Sequence, residues 1–275
     1  MSNVKKTNQI SPISKLKKVL DADSVRKQFE NALQENAGAF VASIIDLYSS
    51  DTYLQQCDPS KVVMEALKAA TLKLPINKQL GFAYIVPYRS RNEVVPQFQI
   101  GYRGYIQLAM RTGQYRHLNS GKVCEGVRVE HDLLTGKVKF SGETTSDKAI
   151  GYFAYMELLN GFTKTVYMTK DEVIEHAQKY SPSYNNKSSA WQTNFDAMAE
   201  KTVIRRLLSK YGIMSTEMVT ALTADTDFND EASLAEEVAQ NANAEVIDIE
   251  VEEVEEEPEE AGTTESGQMK LDPGF

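Results

Sequence analysis

The chain has 275 residues and a net charge of −9, with 25% charged and 41% hydrophobic residues, enough length to bury a core without staples. No run approaches the ~18 consecutive apolar residues of a membrane span, and Met1-Ser-Asn-Val-Lys-Lys lacks the apolar stretch of a secretory signal. The only two cysteines, Cys57 and Cys124, have no metal-ligand spacing and fit a reducing cytoplasm.

The net charge averages two unlike regions. Residues 1–224 carry 29 Lys+Arg against 21 Asp+Glu, a net +8, while residues 225–275 carry 1 against 18, a net −17. A basic body with a detached acidic tail fits a protein that touches phosphate backbones.

Along the chain, residues 1–12 read as disordered, polar and closed by Pro12. Helical periodicity follows to about Leu74. Asp23 is placed to cap a helix carrying Val25, Phe29 and Leu33, and a second helix runs through Phe40, Ile44, Ile45 and Tyr48. Asp58-Pro59 opens a third, with the acid as N-cap and proline at the first helical position; Pro75 is expected to end it. Residues 82–88 and 94–100 are β-rich runs around a basic tip containing Arg89 and Arg91, a hairpin whose Pro87 and Pro96 argue for edge positions or bulges. Gly101–Gly113 is a helix. Strand-like segments then occupy residues 115–168, with Asn160-Gly161 signalling a two-residue hairpin turn. Thr169-Lys-Asp-Glu172 is a capping box. Residues 181–189 form a loop carrying Lys187, an unbroken helix is expected from about Ala190 to Tyr211, and a last short helix covers Thr216–Leu222. After Ala224 the sequence cannot bury enough apolar surface to offset its ordering entropy and is assigned to disorder.

Three segments follow: 1–57 as an N-terminal helical arm making oligomer contacts, 58–224 as the core, and 225–275 as the acidic tail. The fold class is α+β, a small antiparallel sheet with a β-hairpin packed against helices.

Two helices hold the candidate binding residues. At 100° per residue Asn194, Lys201 and Arg205 fall within about 40° of one another, with Arg206 on the flank. In the other helix Arg103, Gln107 and Arg111 repeat at i, i+4, i+8 with Tyr102 and Tyr105 flanking Arg103, while Gly101 and Gly104 permit close approach to its N-terminus. Spaced cations suit phosphates and aromatic rings suit bases. The competing interpretation is an amphipathic helix with a solvated basic face, with Tyr105 in the core and the glycines serving packing. Lys122 is one further cation able to reach a backbone.

Chemistry is poorly supported. There is no Gly-x-x-x-x-Gly-Lys-Ser/Thr phosphate loop, and His117, His131 and His176 lack ligand spacing. In Glu130-His131-Asp132 strand alternation sends the imidazole away from both acids. The expectation is no enzyme, no metal and no cofactor. A magnesium-dependent DNA nuclease and a phage structural or scaffolding protein are the alternatives.

Leu74-Pro-Ile-Asn-Lys-Gln-Leu-Gly-Phe-Ala-Tyr-Ile-Val-Pro-Tyr88, the Gly101–Ala109 block and Trp191 with Met198–Leu208 together resemble the RecT family of phage single-strand annealing proteins, from about residue 30 to 215. The resemblance implies an ATP-independent recombinase that binds single-stranded DNA in a basic groove, pairs complementary strands into duplex, and assembles as rings or helical filaments. It also implies a phage exonuclease and the host single-strand binding protein as partners, no membrane, and a cytoplasmic, nucleoid-associated setting in a bacterial host.

Overall fold

The computed structural model describes residues 11–90, 93–181, 183–187 and 189–225. The disorder expected of 1–12 and 225–275 therefore falls largely outside the described residues. Where the two overlap, helix α1 (Pro12–Leu20) already starts at Pro12, with the Ser11 hydroxyl accepting from the Ser14 amide.

Helices α2 (Asp23–Leu33), α3 (Ala37–Ser50) and α4 (Pro59–Thr71) follow. Asp58 caps α4 as expected, its carboxylate accepting from the Ser60 and Lys61 amides. The helix stops well before Pro75, because Leu72 is its C-cap and Lys73 takes φ 52°. Leu16, Phe29, Ile44, Val62 and Ala66 share one buried cluster with Phe98, Tyr105 and Val203. The N-terminal helices and the rest of the body thus contribute to one core.

Strands β1 (Ala83–Ser90) and β2 (Glu93–Ile100) form the antiparallel hairpin, with Pro87 opposite Pro96. With two strands only, each has a free edge, so neither proline removes a donor that a third strand needs. Helix α5 (Tyr102–Arg111) starts directly from β2. A Cβ on Gly104 would overlap the Phe82 carbonyl oxygen and one on Gly101 the Gly81 carbonyl oxygen. Only glycine lets the helix sit this close to the strand entry.

Strands β3 (Tyr115–Cys124), β6 (Ala149–Leu158) and β7 (Thr163–Thr169) make a three-stranded antiparallel sheet with β6 central, and β4 (Arg128–His131) and β5 (Val138–Ser141) make a separate pair. On β6, Tyr152, Ala154, Met156 and Leu158 alternate inward, the period a one-sided sheet requires. The turn between β6 and β7 is longer than Asn160-Gly161 alone. Gly161 N–H donates to Leu158 and Leu158 N–H to Phe162, with Gly161 at φ 87°. This is the three-residue loop with a left-handed glycine, which tolerates the same Asn-Gly signal.

Helix α6 (Lys170–Tyr180) opens on the Thr169/Glu172 capping box. The helix expected over Ala190–Tyr211 is two, α7 (Ala190–Thr193) and α8 (Phe195–Tyr211), broken at Asn194 with φ −149° and ψ 60°. Helix α9 (Thr216–Ala224) closes the described body. Among the described residues no helix is long and apolar enough to cross a membrane.

Candidate nucleic-acid interface

Helix α8 is buried almost all round, including Met198, Ala199, Val203, Ile204, Leu207 and Leu208. It lies against β6 and β7 on one side and α5 on the other. Lys201 is 3% exposed and Arg205 8%, so the stripe drawn through Asn194, Lys201 and Arg205 does not face solvent as one unit. Asn194 stays exposed at the break before α8, while the two cations turn inward, Lys201 to Asp225 and Arg205 to α9. Lys201 Nζ stands 3.1 Å from one Asp225 oxygen and 3.3 Å from the other. Arg205 reaches the Leu222 carbonyl of α9 at 3.5 Å.

Tyr105 also belongs to the interior, at 0% exposure, with its hydroxyl donating to Asp225 at 2.7 Å. Burial drives its pKa well upward, the Asp225 charge adds to that, and Arg205 opposes it. The base-stacking role expected of Tyr105 is therefore corrected: the ring has no free face. Gly101 and Gly104 are likewise filled by backbone carbonyls, and Gly101 N–H already donates to Phe82 at 3.0 Å. Arg111 is spent on protein as well. Its fork donates to the Leu72 carbonyl at 2.6 Å and the Lys73 carbonyl at 2.8 Å, satisfying acceptors left over at the end of α4.

The other expected residues that the structure describes keep some or all of their exposure. Tyr102 is half-buried and Arg103 exposed. The Arg103 guanidinium donates to the Tyr102 hydroxyl at 3.2 Å and to the Leu80 carbonyl at 3.5 Å. Tyr84 joins them: its pKa is raised by burial against the pull of Arg103 and Lys201. Arg89 is exposed near the end of β1, opposite Val94, whereas Arg91 lies outside the described residues. Gln107 projects from α5 and Lys187 from the loop before α7, both exposed. Lys122 is exposed on β3, 4.0 Å from Asp196.

Arg206 and the surroundings of Tyr211 hold further cations. Arg206 is exposed, with one guanidinium nitrogen 3.5 Å from the Met168 sulfur. Five residues on, the Tyr211 ring has Lys164 Nζ 4.9 Å and Lys210 Nζ 5.6 Å from its centre. Among the described residues none of these three cations lies within 4.0 Å of a carboxylate. Lys210 follows Arg206 by four residues on α8, whereas no local pattern points to Lys164, which comes from β7. Tyr84 was also missed, as was Asp225, which composition assigned to the tail.

The sequence model of the RecT family matches residues 38–245, most of the described body. The chain belongs to the RecT family. It is 42% identical over 254 residues to the uncharacterized protein YqaK of Bacillus subtilis, covering 90% of this chain and 86% of that one. It is 34% identical over 178 residues to protein RecT of Escherichia coli, covering 62% and 65% respectively. RecT-family proteins act in DNA recombination by annealing single strands without ATP. They bind single-stranded DNA and oligomerise. The cationic and aromatic surfaces at Tyr84–Arg103 and Lys164–Tyr211 sit on elements inside the matched span.

Proposed function

We propose that this chain is an ATP-independent single-strand annealing protein that holds the DNA backbone on its exposed cations, oligomerises along the strand and leaves the bases free to test a complement. Membership of the RecT family carries this reading. The surface chemistry supports it: Arg103 with Tyr102 at the start of α5, and Lys164 and Lys210 around Tyr211, put guanidinium or ammonium groups beside aromatic faces, and Arg206 adds a further exposed cation on α8. Cations neutralise phosphates and rings stack on any base, which gives affinity without sequence preference. Arg89, Arg91, Gln107, Lys122, Lys187 and Asn194 extend the proposed contact set. A phage exonuclease and the host single-strand binding protein complete the proposed pathway, in the cytoplasm of a bacterial host.

The test uses two complementary labelled oligonucleotides at low ionic strength without nucleotide. The protein should accelerate duplex formation well above the spontaneous rate. Unchanged kinetics would remove the annealing function, and shortening of the labelled strands on adding magnesium would install the nuclease in its place.

A further inference from the structure

Asp225 is the one residue from the acidic end of the chain that the structure describes, and its side chain is completely buried. Its two oxygens meet the Tyr105 hydroxyl at 2.7 Å, Lys201 Nζ at 3.1 Å and 3.3 Å, and the Ile100 amide at 3.4 Å. Arg205 stands beside Tyr105 and grips the carbonyl of Leu222, three residues earlier. One ammonium, a hydroxyl and a backbone amide therefore converge on one carboxylate, with the Arg205 guanidinium next to that hydroxyl. This donor set does not distinguish a carboxylate from a phosphodiester, since both offer singly charged oxygens that accept charge-assisted hydrogen bonds.

The element that carries Asp225 is lightly held. Helix α9 fully buries only Met218 and Ala221, with Leu222 and Ala224 partly buried against the core, while Val219 is 47% exposed. Its start is set by the Ser215 cap and by Ile213 N–H donating to Tyr115 at 2.8 Å. A short helix with two fully buried side chains belongs to the low-stability end of a fold. Opening it exposes Lys201 and Arg205 to a new anion in place of the old one.

We propose that Tyr105, Lys201, Arg205 and the Ile100 amide form an internal anion site that Asp225 closes from within, and that α9 swings out to admit a backbone phosphate of single-stranded DNA. The proposal rests on the single-strand-binding reading above. It explains why Lys201 and Arg205 are found buried: in the closed form Asp225 engages Lys201, and α9 covers Arg205 through the Leu222 carbonyl. Asp225 and the phosphate then compete, so the free protein resists weak or transient ligands and opens for a strand held at several other points.

Hydrogen exchange on the full-length wild-type protein, with and without oligo-dT, tests the opening directly. Amides of residues 216–225 should exchange faster in the complex. Unchanged or slower exchange there, with the oligonucleotide bound, overturns the latch and leaves the binding function standing. If oligo-dT does not bind at all, the function itself fails and the latch with it. Asp225→Asn gives an independent arm. It should bind oligo-dT roughly threefold to tenfold more tightly, and the slope of log affinity against log salt should steepen by up to about 0.7, the value for one added phosphate contact on single strands. Adding Lys201→Gln should cancel the gain. A folded Asp225→Asn with wild-type affinity and slope, or a gain that survives Lys201→Gln, overturns the proposal. Should the variant not fold, the exchange experiment decides alone.

Discussion

At the level of single residues, Asp51 shows how one carboxylate fixes a local turn. Its oxygens accept from Lys78 Nζ at 2.9 Å, the Leu54 amide at 3.0 Å and the Tyr53 amide at 3.1 Å. Burial pushes its pKa up, but the Lys78 hydrogen bond, the two amides and the Lys78 charge outweigh it and leave the value below the usual 3.8. A carboxyl whose folded pKa is depressed stabilises the protein above its unfolded pKa, and that contribution fades as pH falls through the folded value. Asp51→Asn keeps an acceptor for the amides and loses the pairing with Lys78. At neutral pH it should cost about 1 kcal/mol, measured by thermal unfolding. The gap to wild type should close as pH drops below the ordinary carboxylate range. A gap of constant size down to strongly acidic pH would show that the charge on Asp51 is not what matters. Cys57 follows the opposite logic: burial, then the Asp51 charge, raise its thiol to about 11, so it is a packing residue at neutral pH.

Between elements, Arg111 joins the end of α5 to the end of α4 by a two-pronged hydrogen bond. Helix C-termini leave carbonyls unsatisfied, and a guanidinium answers two of them at once while complementing the local negative dipole. Arg111→Ala should lower stability by about 2 kcal/mol, the range for hydrogen bonds to a charged donor, with oligonucleotide affinity unchanged once the folded fraction is accounted for. Loss of affinity with an unaltered melting temperature would instead return Arg111 to the DNA-contacting surface. This residue also shows where the sequence was readable. Local signals worked: Asp58-Pro59 and the Thr169/Glu172 box start helices, and alternating β-rich runs mark the hairpin, because each of these devices acts within a few residues. The facing of charges was not readable. Arg111, Lys201 and Arg205 were drawn toward solvent because charge on an amphipathic helix ordinarily points there. Their partners, the carbonyls of Leu72 and Lys73, Asp225 and the carbonyl of Leu222, lie 17 to 39 residues away in the chain. The break at Asn194 was equally silent, since no proline or glycine marks it.

At the scale of the whole molecule, a chain of net charge −9 is asked to hold a polyanion. The body and the acidic end must then act differently, and ionic strength separates them. Contacts between cations and phosphates release counterions and weaken with salt in proportion to the number of phosphates held. Repulsion between DNA and the acidic residues after Asp225 acts over distance. It reaches about 30 Å at 0.01 M salt and only about 8 Å at 0.15 M. Ending the chain after Asp225 leaves a body of net +7. That truncated protein should bind oligo-dT more tightly than the full chain at low salt, with the advantage shrinking steadily as salt rises toward physiological strength. Because Asp225 remains in place, the comparison isolates long-range repulsion from competition at the buried site. An advantage that persists undiminished at high salt would mean that the acidic end blocks DNA by direct occupancy of the binding surface, since contact at close range escapes screening. No difference at any ionic strength would mean that the acidic end neither repels nor blocks the strand, and that the cations of the body act as though the remaining 50 residues were absent.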